Sequence, residues 1–240
     1  MIPLRDDVPS RTTPVVTVTL ILINVVVFLY ELMLGRELGL FFRQFAVTPA
    51  LYFGVPAGGI APVQAADLAM PLLTSMFLHG GWMHLIGNMV YLWIFGDNVE
   101  DRMGHGRYVV FYLLCGGAAS AAHIWSNPSS TIPSLGASGA IAGVLGGYLL
   151  LYPKARVVVL IPISFFLHTM EVPALLFLGF WFVQQLFSGA LSLGAASAQT
   201  GGVAWWAHIG GFVAGFALVY VFARKRHKPV KRDEWWAGAR

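Results

Sequence analysis

Ser134-Leu-Gly-Ala-Ser138-Gly-Ala-Ile-Ala-Gly143-Val-Leu-Gly-Gly147-Tyr148 is the stretch that decides how this chain folds. It is apolar enough to lie in a membrane, and Gly139, Gly143 and Gly147 recur at a spacing of four, which places them on one face of a helix. Small residues in that pattern let a second helix backbone come close where lipid supplies no hydrophobic drive. One hydroxyl, Ser138, stands at the start of the stripe between Ala137 and Gly139. A second stripe, Ala207, Gly211 and Gly215, lies near the C-terminus, with His208 beside its first member. Two parallel helices seated on these stripes bring the Ser138 hydroxyl within hydrogen-bond reach of the His208 imidazole. A hydroxyl beside an imidazole base is the arrangement of an activated nucleophile.

The rest of the chain supports a membrane setting. Of 240 residues, 57% are hydrophobic and only 11% charged, with a mean hydropathy of +0.70. Soluble domains carry about 25% charged residues. Apolar segments at roughly 14–34, 83–99, 107–125, 136–152, 172–188 and 204–223 are candidates to cross ~30 Å of hydrocarbon. Several are short for a straight crossing, which implies tilt or burial inside a bundle. The expected fold class is therefore all-α: a polytopic six-transmembrane-helix bundle. The expected organisation is an N-terminal tail 1–13, a membrane domain 14–223 and a basic tail 224–240. The first segment is too long, and lacks the small-x-small site, for a cleaved signal peptide. The single cysteine, Cys115, forms no intramolecular disulfide and reads as a small core residue. Basic residues gather in the run Arg224-Lys-Arg-His-Lys-Pro-Val-Lys-Arg232 rather than across a folded surface, so nucleic acid is not an expected partner.

Lysine and arginine placement orients the bundle. With the N-terminus inside, the inner side collects Arg5, Arg11, Arg102, Arg107, Lys154, Arg156 and every basic residue from Arg224 onward, leaving Arg36 and Arg43 outside. We expect an integral protein of a bacterial cytoplasmic membrane, N-in and C-in, with its site opening to the extracytoplasmic side. The loop 35–70 is then external. Its apolar run Leu40-Phe-Phe-Arg-Gln-Phe45 is expected to lie partly in the membrane interface.

Polar residues inside such a bundle are expensive and mark function. Segment two opens with His79-Gly-Gly-Trp-Met-His84-Leu-Ile-Gly-Asn88, where His84 and Asn88 are four apart and share a helical face. Segments two, four and six all enter from the outer side, so His84, Asn88, Ser138 and His208 lie at one depth. His84 and Asn88 are suited to donate to a developing oxyanion, together with the Ser138 backbone N–H at its helix N-terminus. Taken singly, each has a structural reading. A hydroxyl packs in a Gly-rich helix, a histidine can be a satisfied core group, and a His/Asn pair can bind helices together. Four such residues on three helices at one depth favour a site. His79, His105, His123, His168 and His227 read as structural or interfacial.

At these residues the sequence resembles the rhomboid family of intramembrane serine proteases. The resemblance covers nearly the whole chain. It rests on His79-Gly-Gly-Trp-Met-His84-Leu-Ile-Gly-Asn88, Gly96-Asp-Asn-Val-Glu-Asp-Arg-Met-Gly-His-Gly-Arg-Tyr108, Gly136-Ala-Ser-Gly139 and Ala207-His-Ile-Gly-Gly-Phe-Val-Ala-Gly215, in that order. It implies Ser138 as nucleophile, His208 as general base and then acid, and an oxyanion site using His84 and Asn88. The implied substrates are single-pass transmembrane proteins, cleaved in or near the membrane segment, and no cofactor or metal is expected. Two positions depart from the family's pattern: Ala142 stands where many members carry an aromatic packed on the imidazole, and Met70-Pro71 where many carry Trp-Arg.

Other readings are weaker. No His-Glu-x-x-His is present for a metalloprotease. Asp97 and Asp101 fall in an inner turn with no aspartate on a second helix, and the halves show no inverted repeat for a transporter. The alternative that stays open is a non-catalytic rhomboid-like protein that binds membrane helices as a chaperone or sorting factor. Such a protein tolerates loss of Ser138 or His208, and both are here. No acidic residue is near His208 in sequence, so a Ser–His dyad is expected. Segment five has no small-residue stripe and is the expected lateral gate.

Overall fold

The computed structural model describes residues 1–55, 68–163, 166–194 and 203–224. The basic tail beyond Arg224 and most of the loop before segment six lie outside the described residues. The expected spans are helices: α1 (Val15–Met33), α4 (Trp82–Met103), α5 (His105–Ser126), α6 (Ser138–Leu151), α7 (Ala174–Gly194) and α8 (Trp205–Phe222). Stretches of four of them, Val15–Met33, His105–Ser126, Ala174–Ser192 and Trp205–Phe222, are long and apolar enough to cross a membrane. The chain is a mostly helical integral membrane protein.

α6 is the central post, with Gly139 through Tyr148 all buried. The two stripes meet as their spacing requires. A Cβ on Gly211 would fall 1.9 Å from the Gly139 carbonyl oxygen, and one on Gly215 would fall 1.9 Å from that of Gly143. Backbone therefore lies on backbone between α6 and α8. Cys115 of α5, fully buried, fills the space beside Gly143. At 14 residues, α6 is only ~21 Å long, shorter than the ~30 Å hydrocarbon layer. Its first residue is Ser138.

α4 runs further than its apolar part. Asp97 and Asp101, expected in an inner turn, lie in its last turns together with Glu100. Glu100 is fully buried and accepts hydrogen bonds from the backbone N–H groups of Val16 (2.9 Å) and Thr17 (2.7 Å) and from the Thr17 hydroxyl (2.7 Å). Those N–H groups are the open donors of the α1 N-terminus, so Glu100 caps α1 from a neighbouring helix.

A three-stranded antiparallel sheet was not expected. Its order is β1 (Ile2–Asp6), β2 (Arg156–Ile163), β3 (Phe166–Pro173). Residues read from sequence as part of an N-terminal tail thus form an edge strand. The run Val157-Val-Val-Leu-Ile161 is β-branched and suits a strand, and the alternate residues Val157 and Val159 are fully buried under the helices. The Tyr148 hydroxyl donates to the Asp6 carboxylate, which places the sheet at the end of α6 opposite Ser138. β3 passes directly into α7.

The loop 35–70 contains α2 (Leu38–Phe45) and leads to α3 (Ala69–Thr74), which holds Met70-Pro71. Its anchors are the Thr74 hydroxyl on the Phe45 carbonyl (2.6 Å) and the Tyr52 hydroxyl on the Leu68 carbonyl (2.8 Å).

Candidate active site

Ser138 is the first residue of α6, and the room around it comes from Gly136. That residue has φ +129°, and a Cβ there would stand 2.7 Å from the His84 ring and 3.6 Å from the Ser138 hydroxyl oxygen. A side chain at 136 would thus fill the space between His84 and the serine. The Gly136 N–H donates to the Ser75 carbonyl at 2.8 Å, fixing the turn. His208 lies in the first turn of α8, and its Nε2 is 2.8 Å from Ser138 Oγ. Its Nδ1 is 2.9 Å from Oε1 of Gln185 on α7, a side chain only 3% exposed. The Trp181 ring, one turn earlier on α7, lies 5.9 Å from the imidazole at 33° between planes. α7 therefore contacts His208 on a site where Ala142 of α6, fully buried, offers no ring.

His84 and Asn88 face the same space from α4. Nδ1 of His84 accepts from the Gly80 N–H at 3.4 Å, which leaves Nε2 as the donor, turned toward Gly136 and Ser138. The Asn88 amide nitrogen lies 2.9 Å from His79 Nε2. That contact uses one of its two N–H groups and leaves the other to donate elsewhere. His84, Asn88, Ser138, Ala142, Trp181 and His208 all line one cleft of ≈ 740 Å³. The four residues singled out from the sequence thus share one cavity wall.

Comparison with known proteins bears on the family of the chain. A family profile described as Rhomboid domain matches residues 67–225. The chain belongs to the rhomboid family. This rhomboid is 39% identical over 147 residues to Rhomboid protease GluP of Bacillus subtilis (strain 168), a match covering 61% of this chain and 25% of that one. It is 29% identical over 171 residues to Rhomboid protein 1, mitochondrial, of Saccharomyces cerevisiae (70% and 46% covered). It is 32% identical over 171 residues to RHOMBOID-like protein 4 of Arabidopsis thaliana (70% and 38%). The matched stretch spans less than half the length of each of these relatives.

Two side chains around this rhomboid's site escaped the sequence reading. Gln185 carries a visible signal, an amide within the apolar run Phe180-Trp-Phe-Val-Gln-Gln-Leu-Phe187. Glu31 had one too: a carboxylate 1% exposed in α1, receiving the His79 backbone N–H at 3.2 and 3.3 Å. His79, read as structural, is structural in a particular way, since its ring holds Asn88. Among the described residues, no carboxylate hydrogen-bonds to His208; its two ring nitrogens face Gln185 and Ser138.

Proposed function

We propose that this chain is an intramembrane serine endopeptidase that cleaves single-pass transmembrane proteins in or near their membrane segment, using Ser138 and His208. The observation that carries the reading is the 2.8 Å contact between Ser138 Oγ and His208 Nε2 inside a cleft that also holds two unspent donors, His84 and Asn88. His208 takes the hydroxyl proton as Ser138 attacks the peptide carbonyl, and returns it to the leaving amine. The His84 Nε2–H, the free Asn88 N–H and the Ser138 backbone N–H stabilise the oxyanion. Ser138 opens a helix, so the dipole of α6 adds positive potential at the same point. The membrane is taken as a bacterial cytoplasmic one, with both termini inside and the cleft facing out, as the basic residues imply.

A triad aspartate holds its histidine in the correct tautomer, and its replacement by the amide costs about 10⁴ in kcat elsewhere. A dyad without a carboxylate implies slow turnover. Activity falls on acidification, because protonated His208 cannot accept the serine proton. The test is labelling of the detergent-solubilised protein with a fluorophosphonate, followed by peptide mapping. Ser138 is the expected site of modification, and Ser138→Ala and His208→Ala are expected to abolish labelling and cleavage without unfolding the chain. Folded protein that is unreactive at Ser138, yet binds transmembrane helices, would instead mark a non-catalytic helix-binding member.

A further inference from the structure

A dyad histidine needs something to choose which ring nitrogen carries the proton. On α6, Ala142 lines the same cleft as His208 but carries no group that could orient the ring. The polar group that reaches the ring comes from α7. Gln185 Oε1 lies 2.9 Å from His208 Nδ1, and the amide nitrogen of the same side chain donates to the Trp181 carbonyl at 3.3 Å. That second bond fixes the amide's direction. A carbonyl only accepts, so the nitrogen must face Trp181 and the oxygen must face His208. An amide oxygen also only accepts, so Nδ1 must carry hydrogen. Nε2, 2.8 Å from Ser138 Oγ, is then the bare nitrogen.

We infer that Gln185 is a positioning residue for His208, holding the imidazole in its Nδ1–H tautomer so that Nε2 is free to take the Ser138 proton. The inference rests on the protease reading for its role but not for its geometry. During acylation the Ser138 Oγ–carbon bond forms while the proton moves to Nε2. The resulting imidazolium keeps its Nδ1–H on Gln185 until Nε2–H passes to the leaving nitrogen as the C–N bond breaks. Gln185 takes no proton at any stage. It does for tautomer and orientation what a triad carboxylate does, without adding charge. Trp181, one turn away on the same helix, flanks the ring from the side. Both groups that orient the base thus sit on the helix expected to admit substrate.

The test combines kinetics with ¹⁵N NMR of His208. In the unsubstituted protein at neutral pH, Nδ1 is expected to be protonated and Nε2 bare; a proton on Nε2 would overturn the proposal, whatever any variant does. Gln185→Leu, which keeps bulk but loses the acceptor, should mix the tautomers. Loss of one hydrogen bond to a group that becomes charged should lower kcat on the order of 10- to 100-fold, with KM unchanged. Gln185→Glu should restore kcat and move the acid limb of the kcat–pH profile to higher pH, since a carboxylate favours the imidazolium. Among the described residues, the titratable groups that act on His208 through their charge are His84 from α4 and His123 from α5, and both are retained in every variant. A Gln185→Leu protein with native kcat and a single Nδ1–H tautomer would also overturn it. If Ser138→Ala cleaved as fast as the native chain, the protease reading would fail, while the NMR result would still judge the Gln185 contact.

Discussion

The Asn88 amide nitrogen sits 2.9 Å from Nε2 of His79, nine residues earlier in the chain, and both side chains are buried. Asn88, which lines the cleft, therefore has one N–H anchored on His79 and the other left to donate. Removing an oxyanion donor costs on the order of 10²- to 10³-fold in kcat. Asn88→Ala should show that loss with little change in KM; a rise in KM alone would make Asn88 a substrate or packing contact. His79→Ala should cost less, because the donor remains and only its anchor is gone. Combining the two should add little to Asn88→Ala, as expected for residues acting through one contact.

The seam between α6 and α8 predicts a sharp contrast between two glycines. Gly211→Ala would drive a Cβ to 1.9 Å from the Gly139 carbonyl, backbone that cannot rotate away. Overpacking of this kind costs roughly 1–3 kcal/mol or more. The shift would also move His208, one turn away, from Ser138. Thermal unfolding should occur at lower temperature, and fluorophosphonate labelling should slow. Gly179→Ala on α7, where nothing lies within 4 Å of the added carbon, should change neither.

Asp6 predicts a pH dependence of stability. Burial raises its carboxyl from 3.8 to about 7, against the pull of the Tyr148 hydrogen bond and with help from the Asp97 charge. The folded chain thus holds this proton more tightly than the unfolded chain. Its contribution to stability is present below pH ~4 and is lost as pH rises through ~7. Asp6→Asn keeps an acceptor for Tyr148 and removes the charge. It should stabilise the protein by about 1–3 kcal/mol at pH 8 and hardly at all at pH 4. An unfolding midpoint that gained equally at both pH values would argue against a raised Asp6 pKa in the folded chain.

Expected gating by α7 now has named contacts. Phe177 is buried and stacks 6.4 Å from both Tyr91 and Phe95 of α4, and Phe182 stacks 4.3 Å from Phe212 of α8. Phe180 is 62% exposed and faces away. If opening limits turnover, Phe182→Ala should speed cleavage of a transmembrane substrate, while Phe180→Ala should not. Cross-linking the outer end of α7 to α4 should stop that cleavage yet spare Ser138 labelling by a small fluorophosphonate. Normal cleavage by the cross-linked protein would place the entrance elsewhere.

The helices and their registration were legible because spacing-four glycines admit one reading in a membrane. Ser138, His208, His84 and Asn88 were legible because polar groups are rare there. The sheet was not, since the run Val157–Ile161 suits a strand but becomes one only when β1 and β3, far from it or beyond a turn, pair with it. Gln185 was missed because its partner lies 23 residues away on another helix, a distance that no periodicity relates. Glu100 was not legible either, because a charge beside Asp97 and Asp101 at a helix end looks like a boundary. It is the capping group of a different helix.

Removing the first dozen residues, as is routine for a flexible leader, would strip β1 from β2. The exposed edge would be Arg156-Val-Val-Val-Leu-Ile-Pro-Ile163, a row of open N–H and C=O groups on an apolar strand. Bare edges of that kind recruit strands from other molecules. Shortened protein should therefore emerge from detergent as larger, polydisperse species, even with every residue of the cleft intact.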